Sequence, residues 1–447
     1  MDDPNHNRHP IGFWFIFWGE FAERASFYGM KALLVLYMID ALGYSDANSS
    51  TVASFFTAAC YVLPIIGGYI ADRWLGKFRT IVYFSIPYIA GHLVLGTWEN
   101  NIGLYIALAL LAGGSGSIKP NISTLMGLMY EKQGKSHLLS QAFSWFYMAI
   151  NIGAATSMLS LPFIRDHYGY GVAFMAPTVL MAVSLGIFFI GKRHYPVEDA
   201  KAISKRERTP EQKAEVRTTL VRLSGLFILI VFFWSVFDQQ YSTWTLFARD
   251  HLDLDSEKMI GFINMIPFVN IERIPADAVQ GLNAVLIVLM TPLFAWIWKK
   301  TDKGERRLLS SPQKMLIGFT LVLLSMLTLS VAGFVAGDGR VSLMWEVCAY
   351  VLLTGAELCI SVIGLQLAFE EAPEHMKSVI TGVFLGTVAL GNLLNGSLFV
   401  RLYDTTFSPG EYFALMAVVI SVVTVIFYFV GKRFDRGTNA NVYSAST

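Results

Sequence analysis

Four ionisable side chains lie within one otherwise apolar stretch near the start of the sequence. Residues 19–36 read GEFAERASFYGMKALLVL and contain Glu20, Glu23, Arg24 and Lys31. At 3.6 residues per turn, these positions fall on one face of a helix. Charge is costly inside a bilayer and is usually kept there for function. The expected chemistry is therefore ion pairing that changes partners when a proton or a charged solute binds.

Three more charges, Lys119, Asp238 and Glu357, lie near the middle of later apolar stretches. Together the seven side chains comprise four acids and three bases, so we expect them to pair with one another, because an isolated buried charge is strongly unfavourable. For any one of them the simpler alternative is a structural ion pair or a side chain that reaches the membrane surface. We prefer that alternative for Glu346, near the outer end of its span.

Uncharged polar side chains add a second group of candidates. Asn151 and Asn283 are amides in apolar stretches, where an amide most often holds two helices together but can also hydrogen-bond to a peptide-like solute. Aromatic side chains that could line the same cavity are Tyr28, Tyr61, Trp244 and Phe27. Ordinary packing is the commoner role for each.

Composition excludes several classes of function. Of 447 residues, 54% are hydrophobic and 15% are charged, which is typical of a membrane protein that crosses the bilayer many times. The net charge is +1 with basic residues spread along the chain, so we expect no nucleic-acid partner. The sequence lacks the spacing of a metal site or nucleotide loop and offers no nucleophile paired with a base, so we expect neither an enzyme nor a metal centre.

About 20 apolar residues cross a bilayer as a helix. Twelve such runs are predicted, at 11–39, 50–71, 79–97, 102–129, 138–163, 172–191, 222–247, 278–298, 314–336, 343–367, 378–400 and 411–431. An even number places both termini on one side. With the termini inside, 25 basic residues fall in cytoplasmic segments and six in outer loops, so the positive-inside rule predicts cytoplasmic termini in a cell membrane.

A basic segment midway along the chain separates six spans from six. We expect an all-α membrane protein with a six-helix bundle at 1–195, a cytoplasmic linker at 196–221 and a second six-helix bundle with a short tail at 222–447. This organisation is typical of the major facilitator fold. The sequence GYIADRWLGKFRT at 68–80 resembles that superfamily's loop motif, and the linker is too short for an extra inserted helix pair.

Four motifs together resemble the proton-dependent oligopeptide transporter family. They are ExxER at 20–24 followed by FYG, FYMAINIG at 146–153, FDQQ at 237–240 followed by Trp244, and GAEL at 355–358. The similarity covers nearly the whole chain. Several stretches look like the animal di- and tripeptide carriers, but the short connection between the ninth and tenth spans leaves out their large outer domain. We therefore expect a bacterial member, in the inner membrane.

The resemblance implies a role for each candidate residue. Glu20, Glu23 and Arg24 would couple proton binding with Lys119. Lys31 and Lys119 would bind the peptide carboxylate, and Glu357 would bind its amino group. The backbone contacts would be Asn151 and Asn283, and the pocket aromatics would be Tyr28, Tyr61 and Trp244.

The chain departs from the family pattern at several of these positions. Lys31 replaces a usual arginine, which removes a two-pronged carboxylate contact. Phe27 replaces a common tyrosine, a frequent Ser-Pro pair reads Ser361-Val362, and Ser54 stands where animal members carry histidine. Proton coupling through a histidine at that position is therefore not expected.

The expected function is proton-coupled symport of di- and tripeptides into the cell by alternating access, by a monomer without a bound cofactor other than the coupling protons. In the hypothesised cycle, Glu357 pairs with a lysine of the other half until peptide and proton replace that pairing. Two alternatives stay open. One is a symporter of the same fold for nitrate, an amino acid or another small metabolite, and the other is a nutrient receptor, which the short tail disfavours.

Overall fold

The computed structural model describes residues 8–196, 210–265, 270–303, 306–372 and 377–445. Residues 197–209 of the expected linker at 196–221 lie outside the described residues. The chain that is described is almost entirely helical, as the apolar runs predict, because a backbone surrounded by lipid must satisfy its own hydrogen bonds.

The helices of the N-terminal half follow the predicted spans closely. Four of them are α1 at Ile11–Asp40, α2 at Asp46–Ile70, α3 at Lys77–Thr97 and α4 at Asn101–Lys132. The next helical stretch, Leu139–Ile190, is interrupted at Gly169, whose φ of 82° and ψ of 170° are not helical. It therefore forms two helices, α5 at 139–168 and α6 at 170–190.

The helices of the C-terminal half are more often broken within a span. They are α7 at Pro210–Phe237, α8 at Thr243–His251, α9 at Glu257–Ile263, α10 at Gly281–Thr301, α11 at Ser311–Ala336, α12 at Met344–Glu357, α13 at Ile363–Glu371, α14 at Lys377–Leu394 and α15 at Pro409–Ala445. Turns of π-helix at Leu358–Val362 and Asn395–Phe399 extend two of the spans.

The described chain also contains four two-residue strands. Strand β1 at Leu252–Asp253 pairs in parallel with β4 at Val341–Ser342. Strand β2 at Asp302–Lys303 pairs antiparallel with β3 at Arg306–Arg307. All four lie in connections between spans.

Ten helical stretches in the described residues are long and apolar enough to cross a membrane. One of them, Ser136–His194, contains both α5 and α6. Adding α1, which is 30 residues long but carries five charged residues, gives twelve spans. The predicted twelve-helix membrane architecture is confirmed.

The chain divides into two compact units. The first comprises Met1–Ser49, Phe55–Arg206 and Asp277–Val285, and the second comprises Ser50–Ser54, Glu207–Ala276 and Leu286–Thr447. The first therefore holds most of α1 to α6 with the start of α10. The second holds α7 to α9, α11 to α15, the rest of α10 and five residues of α2.

Candidate functional site

The charges of α1 form a buried cluster in the first unit. Glu20, Glu23 and Arg24 are almost completely buried. Arg24 Nε lies 3.3 Å from Glu20 Oε1 and also forms an ion pair with Glu23. One oxygen of each carboxylate and Nη2 of Arg24 have no hydrogen-bond partner among the described residues. Two acids therefore share one guanidinium with hydrogen-bonding capacity to spare, so the cluster can change partners.

Two lysines lie close to this cluster. Lys119 of α4 is half-buried with Nζ 4.4 Å from the centre of the Tyr61 ring, and it interacts electrostatically with all three α1 residues of the cluster. The thiol of Cys60 on α2 is close enough to interact with both Lys31 and Lys119. Five of the seven sequence-predicted charges thus come together within the first unit.

Small residues let the neighbouring helices approach α1 and α4. A Cβ at Gly153 of α5 would lie 2.6 Å from the carbonyl oxygen of Phe21, beside the charge cluster. On α4, a Cβ at Gly116 would lie 2.6 Å from the Cβ of Leu63 on α2. This close crossing of α2 and α4 brings Lys119 next to α2.

The uncharged candidates of the first unit are only partly exposed. Asn151 on α5 donates a hydrogen bond to the Tyr147 carbonyl at 2.9 Å, so one of its amide protons serves its own helix. Asn283 is buried in the first turn of α10, and Tyr28 and Tyr61 are half-buried. Their contacts with a substrate stay predictions.

The FDQQ motif breaks the seventh span. Helix α7 ends at Phe237, a turn of 3₁₀-helix covers Asp238–Tyr241, and α8 begins at Thr243. The Asp238 carboxylate is buried and accepts a hydrogen bond from Asn392 Nδ2 at 2.6 Å. Broken helices of this kind often form ion or substrate sites in transporters. The sequence revealed the charge of Asp238 but not this break.

Glu357 occupies the last position of α12 in the second unit, directly before the π-helical turn. It is half-buried and has a partner. Single π-turns within helices are frequent at functional sites. Trp244, at the start of α8, is fully buried with its ring 4.9 Å from that of Tyr350. The structure therefore packs Trp244 against Tyr350, and its predicted contact with substrate stays a prediction.

The interpretation of Glu346 as an ion-paired or surface-reaching residue is wrong. Glu346 is 1% exposed, and neither carboxyl oxygen has a hydrogen-bond partner among the described residues. Its position near the start of a span suggested access to the membrane surface. The neighbouring segments instead cover it completely.

Sequence analysis missed His92 on α3. This histidine is fully buried, and its Nε2 lies 2.8 Å from the hydroxyl oxygen of Ser26. Because the Ser26 hydroxyl donates to the Pro177 carbonyl at 2.8 Å, it accepts from His92. The available signal was a histidine in an apolar run. The sequence does not show that its partner is Ser26, 66 positions away.

A buried ion pair ties the end of α5 to the start of the eighth span within the first unit. Arg165 contacts Asp277 through two hydrogen bonds, Nη1 to Oδ2 at 3.1 Å and Nη2 to Oδ1 at 3.0 Å. The Asp277 side chain is fully buried. At the other end of the membrane spans, Asp72 and Lys77 of the predicted loop motif form an ion pair between α2 and α3.

Comparisons with known proteins agree with these observations. A family model described as the POT family matches residues 78–208 and 197–416. Solute carrier family 15 member 1 of Rattus norvegicus is 34% identical over 343 residues, which cover 64% of this chain and 46% of that protein. The chain thus spans a little under half the length of this relative.

Two other relatives match almost end to end. The uncharacterized transporter YclF of Bacillus subtilis (strain 168) is 26% identical over 491 residues, covering 96% of both chains. The crystal structure of a mutant of the peptide transporter POT in complex with alafosfalin is 27% identical, with a TM-score of 0.83 and 96% of each chain covered.

Proposed function

This chain belongs to the POT family of transporters, and from that membership we propose that it carries di- and tripeptides into the cell together with protons. The similar solved structure of a peptide transporter supports the substrate class. The observation that carries the proton-coupling proposal is the sharing of Arg24 between Glu20 and Glu23 within reach of Lys119.

In the proposed cycle a proton from outside binds one carboxylate of α1. Protonating Glu20 or Glu23 removes one negative charge from Arg24, so Arg24 and Lys119 redistribute between the remaining acid and the substrate. The peptide carboxylate binds Lys31 and Lys119, and Glu357 binds the peptide amino group. When the proton leaves to the cytoplasm, the original pairing returns and the carboxylate of the peptide is released.

The remaining candidates hold the peptide without selecting for particular side chains. Asn151 and Asn283 hydrogen-bond to the peptide backbone, and Tyr28, Tyr61 and Trp244 contact its side chains. Charged groups for the two ends and amides for the backbone favour short peptides of varied sequence. We further propose that the chain acts as a monomer in a bacterial inner membrane, with both termini in the cytoplasm.

Uptake into proteoliposomes tests this proposal. With an acidic exterior, labelled dialanine is expected to accumulate, and a protonophore should abolish the accumulation. Unlabelled di- and tripeptides should compete, whereas nitrate and free amino acids should not. Competition by nitrate or by a free amino acid, with none by dipeptides, would replace the peptide proposal with the corresponding symporter of the same fold.

A further inference from the structure

Glu346 is a buried acid that the proposed cycle does not use. It lies in the first turn of α12, it is 1% exposed, and both of its oxygens lack hydrogen-bond partners among the described residues. Among the described residues, Glu346 forms no ion pair with a basic side chain, so burial is not offset by an opposite charge. Burying an unpaired carboxylate is far less favourable than burying the neutral acid, so Glu346 holds a proton in this conformation.

Two hydrogen-bond donors without partners among the described residues lie near Glu346. Tyr350 lies one turn later on α12, and Tyr403 lies in the segment between α14 and α15; both interact electrostatically with Glu346. Both hydroxyls are buried without partners among the described residues. The carboxylates of Asp250 and Asp404 act on Tyr403 rather than on Glu346. The two hydroxyls could therefore stabilise a carboxylate at Glu346.

The group of buried donors near Glu346 extends towards Trp244 and Glu357, two of the proposed peptide contacts. The Tyr350 ring packs on Trp244, and the Trp244 Nε1 is a third buried donor without a partner among the described residues. Glu346, Tyr350 and Glu357 are spaced i, i+4 and i+11 on α12, so they share one helix face. At 1.5 Å per residue, Glu346 lies roughly 16 Å from Glu357 along that face.

An acid that stays neutral throughout a cycle could be replaced by an amide without loss. Glu346 differs from such a residue because the nearby hydroxyls of Tyr350 and Tyr403 are unused donors, and a carboxylate with two accepting oxygens would bind them more strongly than the neutral acid. Gaining and losing a proton at Glu346 would change the hydrogen bonding of Tyr350, which contacts Trp244 directly.

We propose that Glu346 is a second proton-binding site of the transport cycle, separate from the acids of α1. In the conformation described here it is a neutral carboxyl. When this end of α12 opens to water, the carboxyl O–H bond breaks, the proton passes to water, and the carboxylate accepts hydrogen bonds from Tyr350 and Tyr403. The place of Glu346 in the transport cycle rests on the proposed function. Proton binding by Glu346 rests only on its own burial and on the donors Tyr350 and Tyr403.

The variant Glu346→Gln tests the role in transport, because the amide mimics the protonated acid and cannot release a proton. We expect dialanine counterflow in proteoliposomes to stay at the wild-type rate while the proton-to-peptide ratio falls by one. Glu370→Gln, which changes an exposed glutamate of α13, should leave both unchanged. A wild-type ratio in Glu346→Gln would overturn the proposal, as would equal loss of counterflow and ratio in a folded variant.

Infrared difference spectra between acidic and alkaline buffer test proton binding without transport. The wild type should show a carboxyl carbonyl band that disappears in Glu346→Gln. Should that variant not fold, the band should shift in Glu346→Asp and change in Tyr350→Phe. An unchanged band in all folded variants would overturn the proposal. Because this measurement needs no substrate, it separates a failure at Glu346 from a failure of the peptide-transport proposal.

Discussion

Arg24 holds two carboxylates that would otherwise repel one another. Glu20 is one helical turn before it, a spacing at which opposite charges on a helix attract. Glu23 is its direct neighbour, and its remaining oxygen has no hydrogen-bond partner among the described residues. A single added proton therefore changes the charge balance of the whole cluster.

Replacing Glu23 by glutamine should abolish the accumulation of dialanine driven by a proton gradient. The amide cannot take up a proton, but peptide binding and the change between conformations remain, so counterflow exchange should persist. Proteoliposomes with and without a pH gradient separate the two. Glu131→Gln, at the exposed end of α4, serves as the matched control. Full gradient-driven accumulation by Glu23→Gln would remove this residue from proton coupling.

Glu357→Ala should weaken the uptake of dipeptides with a free amino group much more than that of N-blocked dipeptides. The reason is that only a charged amino group benefits from the carboxylate. A fall in apparent affinity of about tenfold would correspond to roughly 1.4 kcal/mol. Concentration dependence of uptake for both substrate types measures this difference. Equal losses for the two would argue against an amino-group contact.

Charge pairs within one helix could be predicted from the sequence, whereas interaction partners that are far apart in the sequence could not. The pairing of Arg24 with Glu20 follows from helical spacing alone. The interaction between Ser26 and His92 depends on how α1 and α3 pack, and the burial of Glu346 depends on segments outside its own helix turn. The spacing of residues within one helix does not show which other segments pack against them.

Helix α5 determines where the charges of α1 lie, because Gly153 packs directly on the α1 backbone. The apolar runs predicted every span, since the bilayer imposes a minimum length on each. The breaks at Asp238–Tyr241 and Leu358–Val362 were not predicted, because a short change in helical geometry leaves the hydrophobic pattern intact. These breaks lie beside Trp244 and Glu357.

Gly153→Ala should lower the thermal stability of the purified protein and impair transport. The added methyl group would press against the Phe21 carbonyl, and overpacking of this kind costs about 1–3 kcal/mol. Gly186→Ala on α6 is the control, since a Cβ there meets nothing within 4 Å. Thermal unfolding in detergent compares the two variants. Equal melting temperatures would show that α5 and α1 can separate at little cost.

The Arg165 and Asp277 pair predicts a non-additive mutant series. Arg165→Ala leaves a buried aspartate without its partner, which typically costs about 3–5 kcal/mol. Removing both charges in Arg165→Ala with Asp277→Ala should be less harmful than removing Arg165 alone. Melting temperatures of the single and double variants test this. A double variant at least as unstable as the sum of the singles would indicate that the pair is not coupled.

The orientation proposed for the whole chain follows from the distribution of basic residues. Helix α4 offers a direct test, because exposed positions flank both of its ends. Glu99→Cys should react with an impermeant maleimide in intact cells, whereas Gln133→Cys should react only after permeabilisation. The parent chain, with its native cysteines, supplies the background. The reverse labelling pattern would invert the proposed topology.

One joint between helices limits how the first unit can move. Gly169 is the only non-helical residue between α5 and α6, so two backbone torsions form the entire connection. The two helices are consequently joined without a loop, so the end of α5 and the start of α6 stay one residue apart. A tilt of α5 that displaces α1 at Gly153 therefore also moves the adjoining end of α6.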